Sequence, residues 1–324
     1  MAFNYRIYFT ERSKNRIICW DPDTDDAQVV AGVSLDDDPS QRLNDPYGLA
    51  IDAEGNLLIC DSNNDRICRL RNGTVEPLIF DSETETARRF SNPTGITIEN
   101  DCIIAAFAVS DRIWKFSRSG EHQGVLGRAS IPYEVVSLKE YIPPSEVAQH
   151  PLVSPTSLVS QLDGTLFFIE QRYGVLREYH PDTGLRCVFP VSRKPEYSPS
   201  PKRSAPKSRI SDYHPPCPNG LALDSKQELY LADPVDGVVF HLDIQQNRMC
   251  RVIEPEPGYP PGRGPAALAF GRDGTAWVLN SATGSVDSYE PTANGPWRRG
   301  AKSLSNLNGI PLSLNPSEVG IVCS

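Results

Sequence analysis

The chain has 324 residues, including 23 glycines and 29 prolines, and 23% of its residues are charged. This composition is typical of short strands joined by many turns, and it argues against long helices. The formal net charge of −9 makes nucleic acid and anionic membranes poor partners, and no apolar run predicts a membrane span or a signal peptide.

The eight cysteines are scattered along the chain and form no C-x-x-C pair. Structural zinc sites and disulfide frameworks need clustered cysteines, whereas isolated cysteines in apolar runs behave as small buried hydrophobes. We therefore expect reduced thiols and a cytoplasmic location.

A repeated pattern of strands organises the chain. The N-terminal segment, RIYFTERSKNRIICWDPDTDDAQVVAG, predicts three strands. The first complete unit runs from Pro46 to Phe80 and reads as a short apolar strand, a tight D-x-x-G turn and three further strands. The opening phrase of this unit returns from Pro93, Pro155, Pro218 and Pro265.

Both chain ends supply parts of one further unit. The C-terminal phrase LNGIPLSLN resembles a first strand, with Asn308 in the place of Asn219, and the tail SEVGIVCS is left over. Five complete units and one shared unit predict an all-β fold, a six-bladed β-propeller of four-stranded antiparallel blades. It forms a single domain over residues 1–324, closed by pairing of the N- and C-terminal strands. A β-sandwich or barrel and a seven-bladed ring are the alternatives.

Alignment of the units predicts two rings of side chains at the channel mouth, where first strands begin and second strands end. The inner ring, one residue after each aligned proline, is Tyr47, Thr94, Thr156, Asn219, Ala266 and Asn308. The outer ring, at the ends of the second strands, is Glu11, Asp61, Phe107, Glu170, Asp233 and Asn280. The inner ring is uncharged, which suits a neutral ligand.

The repeats resemble NHL repeats and the SMP-30/gluconolactonase/strictosidine-synthase-like group of six-bladed propellers, most closely in PNGLALDSKQELYLAD. The resemblance implies a divalent cation held by a Glu, an Asn and an Asp in lactonases of this group. Asn219 matches the Asn, but Ala266 and Asn308 stand where the carboxylates should be. Hard cations need anionic oxygens, so we expect no metal and no other cofactor. The outer-ring acids either converge on a site or accept backbone N–H bonds at strand corners.

Two connections are about 15 residues longer than the others and predict inserts over the mouth, at about 128–153 and 191–215. The first carries Tyr133, Tyr141 and His150, and its centre predicts a short helix or strand. The second is rich in Ser, Pro and basic residues, and is either a solvated loop or a lid based on Tyr213 and His214. Trp297 completes a predicted aromatic rim.

These features favour a metal-independent enzyme of natural-product biosynthesis that binds a bulky, mostly apolar, neutral small molecule. The resemblance group includes strictosidine synthases and fungal hetero-Diels–Alderases, and we interpret the chain as a cyclase of the pericyclase type. The predicted catalytic residues are Asn219, Tyr47, Glu170, Asp233 and His214. The predicted substrate-binding residues are Thr94, Thr156, Asn308, Phe107, Asp61, Glu11, Asn280, Tyr133, Tyr141, Tyr213 and Trp297. A metal-dependent lactonase and a non-catalytic NHL-like binding module are the alternatives, and the sequence does not determine the oligomeric state.

Overall fold

The structure is a computed structural model. It describes residues 3, 5–32, 38–80, 90–127, 141–142, 144–147, 152–188, 208–209, 218–255, 263–292, 296–314 and 320–324. Six antiparallel blades, each with four main strands, surround a central channel. The predicted fold class is therefore confirmed.

The strands follow the sequence repeats. Blade 1 contains β1 (Ile7–Glu11), β2 (Arg16–Asp21) and β3 (Asp26–Ala31). Blade 2 contains β4 (Pro46–Ile51), β5 (Leu57–Asp61), β6 (Arg66–Arg71) and β7 (Thr74–Phe80). Blade 3 contains β8 (Pro93–Glu99), β9 (Cys102–Phe107), β10 (Arg112–Phe116) and β11 (His122–Leu126). Blade 4 contains β12 (Tyr141–Ile142), β13 (Pro155–Ser160), β14 (Leu166–Glu170), β15 (Val175–His180) and β16 (Gly184–Cys187), with α1 (Pro144–Val147) after β12.

The last two blades repeat this order. Blade 5 contains β17 (Ser208–Arg209), β18 (Gly220–Leu223), β19 (Leu229–Asp233), β20 (Val238–Asp243) and β21 (Arg248–Ile253). Blade 6 contains β22 (Pro265–Phe270), β23 (Ala276–Asn280), β24 (Ser285–Glu290) and β25 (Arg298–Leu304). A hairpin of β26 (Asn306–Leu307) and β27 (Ile310–Pro311) follows, and β28 (Ile321–Cys323) returns to blade 1. Short 3₁₀ turns occupy Arg12–Lys14, Pro39–Gln41, Ser62–Asn64 and Gln171–Tyr173.

The ring closes on a strand other than the one that the sequence suggested. β28, in the tail treated as left over, is the innermost strand of blade 1 and pairs antiparallel with β1, placing Ile7 opposite Cys323. Asn308 lies instead at the exposed tip of the β26–β27 hairpin, where Asn308 and Gly309 have φ of 53° and 79°. Asn-Gly with positive φ at both positions is a preferred two-residue hairpin turn. The prediction that Asn308 lines the channel was therefore wrong.

The corner between the second and third strands ends in every blade in a residue with left-handed φ, namely Asn15, Asp65, Asp111, Gly174, Gly237 and Gly284. In the first three blades this side chain also accepts a backbone N–H from the linker that enters the next blade, Asp45 to Asn15 (2.8 Å), Asn92 to Asp65 (2.8 Å) and Ser154 to Asp111 (2.7 Å). Asn and Asp tolerate this conformation and add a bond between blades.

Apolar side chains fill the spaces between neighbouring blades. At the seam between blades 1 and 6, the fully buried Trp20 and Trp277 pack edge to face with ring centroids 5.2 Å apart. Between blades 2 and 3, Phe90 packs on Trp114 at 5.4 Å. Such aromatic pairs add to the free energy gained by burial and fix how the blades pack.

The described parts of the two inserts lie at the circumference of the propeller. β12 pairs with β16, the outer strand of blade 4, and β17 pairs with β21, the outer strand of blade 5. Each covers part of a strand edge that would otherwise expose unpaired backbone groups. These parts therefore do not arch over the channel, and most of both inserts lies outside the described residues.

No helix within the described residues has the length and apolar character needed to cross a membrane.

Candidate functional site

A cavity of about 340 Å³ runs between the first strands of all six blades. It is lined by β4 from Gly48 to Ile51, β8 from Thr94 to Ile98, β13 from Ser157 to Val159, β18 from Leu221 to Leu223, β22 from Leu268 to Phe270 and β28 from Ile321 to Cys323. None of these lining residues is charged, and their polar side chains are the hydroxyls of Thr94, Thr97 and Ser157 and the thiol of Cys323.

The first strands approach one another most closely near their N-terminal ends. A Cβ on Gly48 would lie 2.6 Å from the carbonyl oxygen of Thr94 in the next blade, and one on Gly95 would lie 2.4 Å from that of Thr156. Gly320, just before β28, makes the same close approach to blade 2. No side chain fits at such distances, so glycine allows the blades to meet at this face.

The cavity becomes more exposed toward the C-terminal ends of these strands. Gly48 and Gly95 are buried, whereas Ile51, Ile98 and Leu223 are partly exposed. We expected the open mouth at the face where first strands begin. Among the described residues, the exposed end of the cavity is instead at the opposite face, because the glycine contacts draw the strands together at their beginnings.

Three inner-ring side chains, those of Asn219, Thr94 and Thr156, are buried and bonded to backbone groups. The Asn219 side-chain N–H donates to the carbonyl oxygen of Ala266 at 2.9 Å, which ties blade 5 to blade 6. Thr94 Oγ1 donates to the carbonyl oxygen of Pro155 at 3.0 Å, which ties blade 3 to blade 4. Thr156 Oγ1 donates to Ile169 within its own blade, at 3.4 Å. Of the described inner-ring residues, only Thr94 lines the cavity.

Tyr47 is covered by an arginine. The Arg12 guanidinium carbon lies 4.0 Å from the centroid of the Tyr47 ring, and Tyr47 is only 6% exposed. Arg12 also holds Asp45 through two bonds, at 2.9 Å from Nε and 2.8 Å from Nη2. Cation–π contact and the bidentate ion pair together join blade 1 to blade 2.

Each outer-ring residue ends its second strand, as the alignment predicted. Three of the acids bind an arginine of the third strand and a backbone N–H of a linker. Glu11 accepts from Arg16 Nε (2.6 Å) and Ser313 N (2.7 Å), Asp61 from Arg66 Nε (2.7 Å) and Asn44 N (2.7 Å), and Glu170 from Arg177 Nε (2.8 Å) and Val153 N (2.9 Å). All three carboxylates are fully buried. This matches the corner arrangement that the sequence left open.

The remaining outer-ring residues are also fully buried. Asp233 Oδ1 accepts the backbone N–H groups of Val235 and Asp236, at 3.0 and 3.1 Å. Asn280 Oδ1 accepts the N–H of Ala282 at 3.0 Å. Phe107 packs on Phe90, with ring centroids 5.6 Å apart. In this structure the outer ring therefore has no surface that a substrate could touch, and it stabilises the corners instead.

Glu170 has a perturbed titration. Burial raises its pKa, and the neighbouring Arg177 guanidinium opposes the shift only in part. Both side chains are fully buried, so their surroundings are protein and not substrate. A raised carboxyl pKa often marks an acid catalyst. Here its cause is enclosure within the corner.

Trp297 does not contribute to an aromatic rim, so that prediction was wrong. Its indole is 8% exposed and packs on Tyr230 and Phe270, with centroid separations of 5.2 and 5.7 Å. Both partners lie at the face of the propeller opposite the close glycine contacts. The backbone N–H of Trp297 donates to the carbonyl oxygen of Val252 in blade 5. Trp297 therefore packs onto the seam between blades 5 and 6.

The other predicted aromatic and histidine residues belong to the inserts. Tyr133, His150, Tyr213 and His214 lie outside the described residues. Tyr141 is described only as part of β12. Their roles remain predictions.

Two hydroxyl residues of the cavity were missed by the sequence analysis. Ser157 stands where three other units have glycine, and its Oγ accepts the N–H of Leu221 in the next blade at 3.0 Å. Thr97 is partly exposed in the wider half of the cavity. The replacement of glycine by Ser157 was the available signal, whereas nothing in the repeat marks Thr97.

Within the described part of the chain, no three histidine, cysteine, aspartate or glutamate residues are grouped so that they could hold a metal ion.

No family model and no curated protein sequence matches the chain. Solved structures do match. A streptogramin B lyase is 14% identical with a TM-score of 0.57, over 98% of this chain and 83% of that chain. A catalytically inactive histidine-to-alanine variant of virginiamycin B lyase from Staphylococcus aureus with quinupristin is also 14% identical, with a TM-score of 0.56 over 97% of this chain and 84% of that one.

A chain of a nidogen/laminin complex is similar as well, with a TM-score of 0.63 and 14% identity over 99% of this chain and 98% of that chain. At these identities the likeness shows the fold, a six-bladed β-propeller. The same fold serves an enzyme in one neighbour and a protein complex in another, so function has to be argued from the site.

Proposed function

We propose that the protein is an enzyme that binds a neutral, largely apolar small molecule in the central channel. The observation that carries the proposal is the lining of the cavity, which has no charged residue among the described positions. A volume of about 340 Å³ lies within the range typical of small-molecule sites, roughly 300–1,000 Å³. A charged ligand would lose its hydration there without gaining a side chain of opposite charge from the described lining residues.

The chemistry that suits such a site is ring closure by positioning. A pericyclic cyclase holds two unsaturated groups in reactive contact, and most of its rate acceleration comes from orientation. We therefore propose a metal-independent cyclase of the pericyclase type. The fully buried corner acids are not needed for this reaction.

The channel also offers polar anchors. Each first strand pairs only with its second strand, so its other edge directs backbone N–H and C=O groups toward the channel. Together with the hydroxyls of Thr94, Thr97 and Ser157, these groups can bind a carbonyl or hydroxyl of the substrate. A hydrogen bond to the carbonyl of a heterodiene polarises it toward cycloaddition. The lyases among the structural neighbours support an enzymatic use of this architecture by analogy.

A stereochemical assay tests the chemistry. An o-hydroxybenzyl alcohol, which generates an o-quinone methide by loss of water, would be incubated with an achiral cyclic sesquiterpene alkene and the protein. Without a catalyst the adduct is racemic. The proposal predicts an excess of one enantiomer that persists in EDTA and disappears in Val159→Trp, which fills the partly exposed half of the channel. A racemic product at the uncatalysed rate would contradict it.

A non-catalytic binding module is the second candidate. It is favoured by the corner acids, because the described outer-ring carboxylates all accept structural bonds. Under this alternative, small molecules bind the channel without turnover. Calcium-dependent hydrolysis of a γ-lactone would instead support the lactonase alternative.

A further inference from the structure

One face of blade 5 carries a thiol, an imidazole and a carboxylate in a row. Cys250 of β21, His241 of β20 and Tyr230 of β19 are direct cross-strand neighbours. The Cys250 Sγ lies 3.8 Å from His241 Nδ1, and His241 Nε2 lies 3.6 Å from Glu228 Oε2. The imidazole therefore stands between a potential nucleophile and an anion, which is the geometry of an activated thiol.

Neighbouring groups fix this arrangement and leave it accessible. The rings of Tyr230 and His241 lie 5.0 Å apart with an interplanar angle of 31°. The Tyr230 hydroxyl donates to Glu228 Oε2 at 3.3 Å and to Asp224 Oδ2 at 3.5 Å. The side chains of His241 and Glu228 are 24% and 45% exposed, and Cys250 is partly exposed, so a small reagent can reach the row.

We propose that Cys250 is a nucleophilic thiol site for soft carbon electrophiles of the α,β-unsaturated carbonyl class. His241 Nδ1 accepts the thiol proton, and Glu228 stabilises the imidazolium. The sulfur then forms a bond to the β-carbon, the C=C π bond breaks to give an enolate, and the α-carbon takes up the proton. The product is a thioether with no change in oxidation state. This site is separate from the channel and does not depend on the proposed function.

Three of the other described cysteines, Cys60, Cys68 and Cys102, lack this environment. Cys60 and Cys68 are buried, and burial raises the pKa of both thiols, that of Cys68 to about 12. Cys102 is partly exposed like Cys250, but its thiol donates to the neutral amide oxygen of Gln123 at 3.2 Å. Cys102 is therefore a matched comparison within the same molecule.

Competitive alkylation tests the proposal. The native full-length protein would be treated with limiting N-ethylmaleimide near neutral pH, quenched and digested, and the modified fraction of each cysteine followed by mass spectrometry. A thiol beside an imidazolium is more often ionised, which speeds alkylation, but its thiolate is a weaker nucleophile, which slows it. The expected net increase in the alkylation rate is about threefold to tenfold. We expect Cys250 to react faster than Cys102 by this factor.

Two variants test whether His241 and Glu228 cause the faster alkylation of Cys250. His241→Gln should reduce the Cys250 rate to that of Cys102, and Glu228→Gln should reduce it partly. The Cys102 rate should be unchanged in both variants, which shows that the fold is retained. Equal rates at the two cysteines in the wild type, or a Cys250 rate that is unaffected by His241→Gln, would overturn the proposal.

Discussion

The close contact at Gly95 gives the sharpest test of how the blades meet. In Gly95→Ala the new Cβ would lie 2.4 Å from the carbonyl oxygen of Thr156 and 3.2 Å from Cδ2 of Leu158. The leucine can move, but the carbonyl belongs to the first strand of blade 4. Relief therefore requires the first strands of two blades to separate by about 1 Å, since unstrained carbon–oxygen contacts lie near 3.3 Å.

The size of the effect follows from packing. Overpacking a rigid core costs about 1–3 kcal/mol, and alanine returns up to about 1 kcal/mol by restricting the unfolded chain. For a chain of 324 residues, an unfolding entropy of about 2.1 cal/mol/K per residue converts each kcal/mol into about 1.5 °C. At the centre of the overpacking range the net cost is about 1–2 kcal/mol, so Gly95→Ala should lower the melting temperature by about 1.5–3 °C.

Calorimetry at a fixed scan rate measures the change, and Gly124→Ala is the matched control. Gly124 lies in β11, its added Cβ would meet no atom within 4 Å, and its φ is not positive. The control should melt within about 1 °C of the wild type. Equal melting temperatures for Gly95→Ala and Gly124→Ala would refute the close approach of the first strands.

Four further substitutions, one of them a control, test the corners and the corrected closing strand. Asp61→Asn leaves Arg66 beside a neutral amide and should cost about 2–4 kcal/mol in urea unfolding. Glu178→Gln in a partly exposed ion pair should cost less than about 1 kcal/mol, and equal losses would contradict the structural role of the corner acids. Because burial raises the pKa of Glu170, its stabilising contribution is present at low pH and lost as the pH rises through the raised pKa. The melting temperature of the wild type relative to Glu170→Gln should therefore be higher at pH 5 than at pH 7, and the opposite trend would show that ion pairing dominates. Gly309→Ala, at φ 79°, should cost about 1 kcal/mol and leave calorimetric binding of a channel ligand unchanged. Loss of binding would contradict the placement of the β26–β27 hairpin outside the channel.

The repeat made the fold predictable because each unit carries its own turns and apolar strands. The alignment even placed the last residue of every second strand, from Glu11 to Asn280. The closing strand was mistaken because Asn308-Gly309 imitates the start of a first strand while also being a strong hairpin turn. Whether this phrase forms a channel strand or a hairpin turn depends on the strand with which it pairs. A single short stretch of sequence does not specify that partner.

The site was less predictable for a different reason. Alignment gives the position of a side chain along a strand, but not which of its neighbours lies within bonding distance. Arg177 is seven residues from Glu170 in the chain, and only the strand register brings its guanidinium to the carboxylate. Likewise the 2.4 Å contact at Gly95 depends on the spacing between blades, which the repeat does not specify.

Calorimetric titration with a matched pair of probes tests the central claim, that the channel binds neutral apolar molecules. The probes are 2-naphthylmethanol and 2-naphthoate, which share a ring system and differ in charge. We predict that the alcohol binds, that the carboxylate does not bind at the same concentrations, and that Val159→Trp abolishes binding of the alcohol. Equal binding of the two probes, no binding of the alcohol, or binding unaffected by Val159→Trp would contradict it.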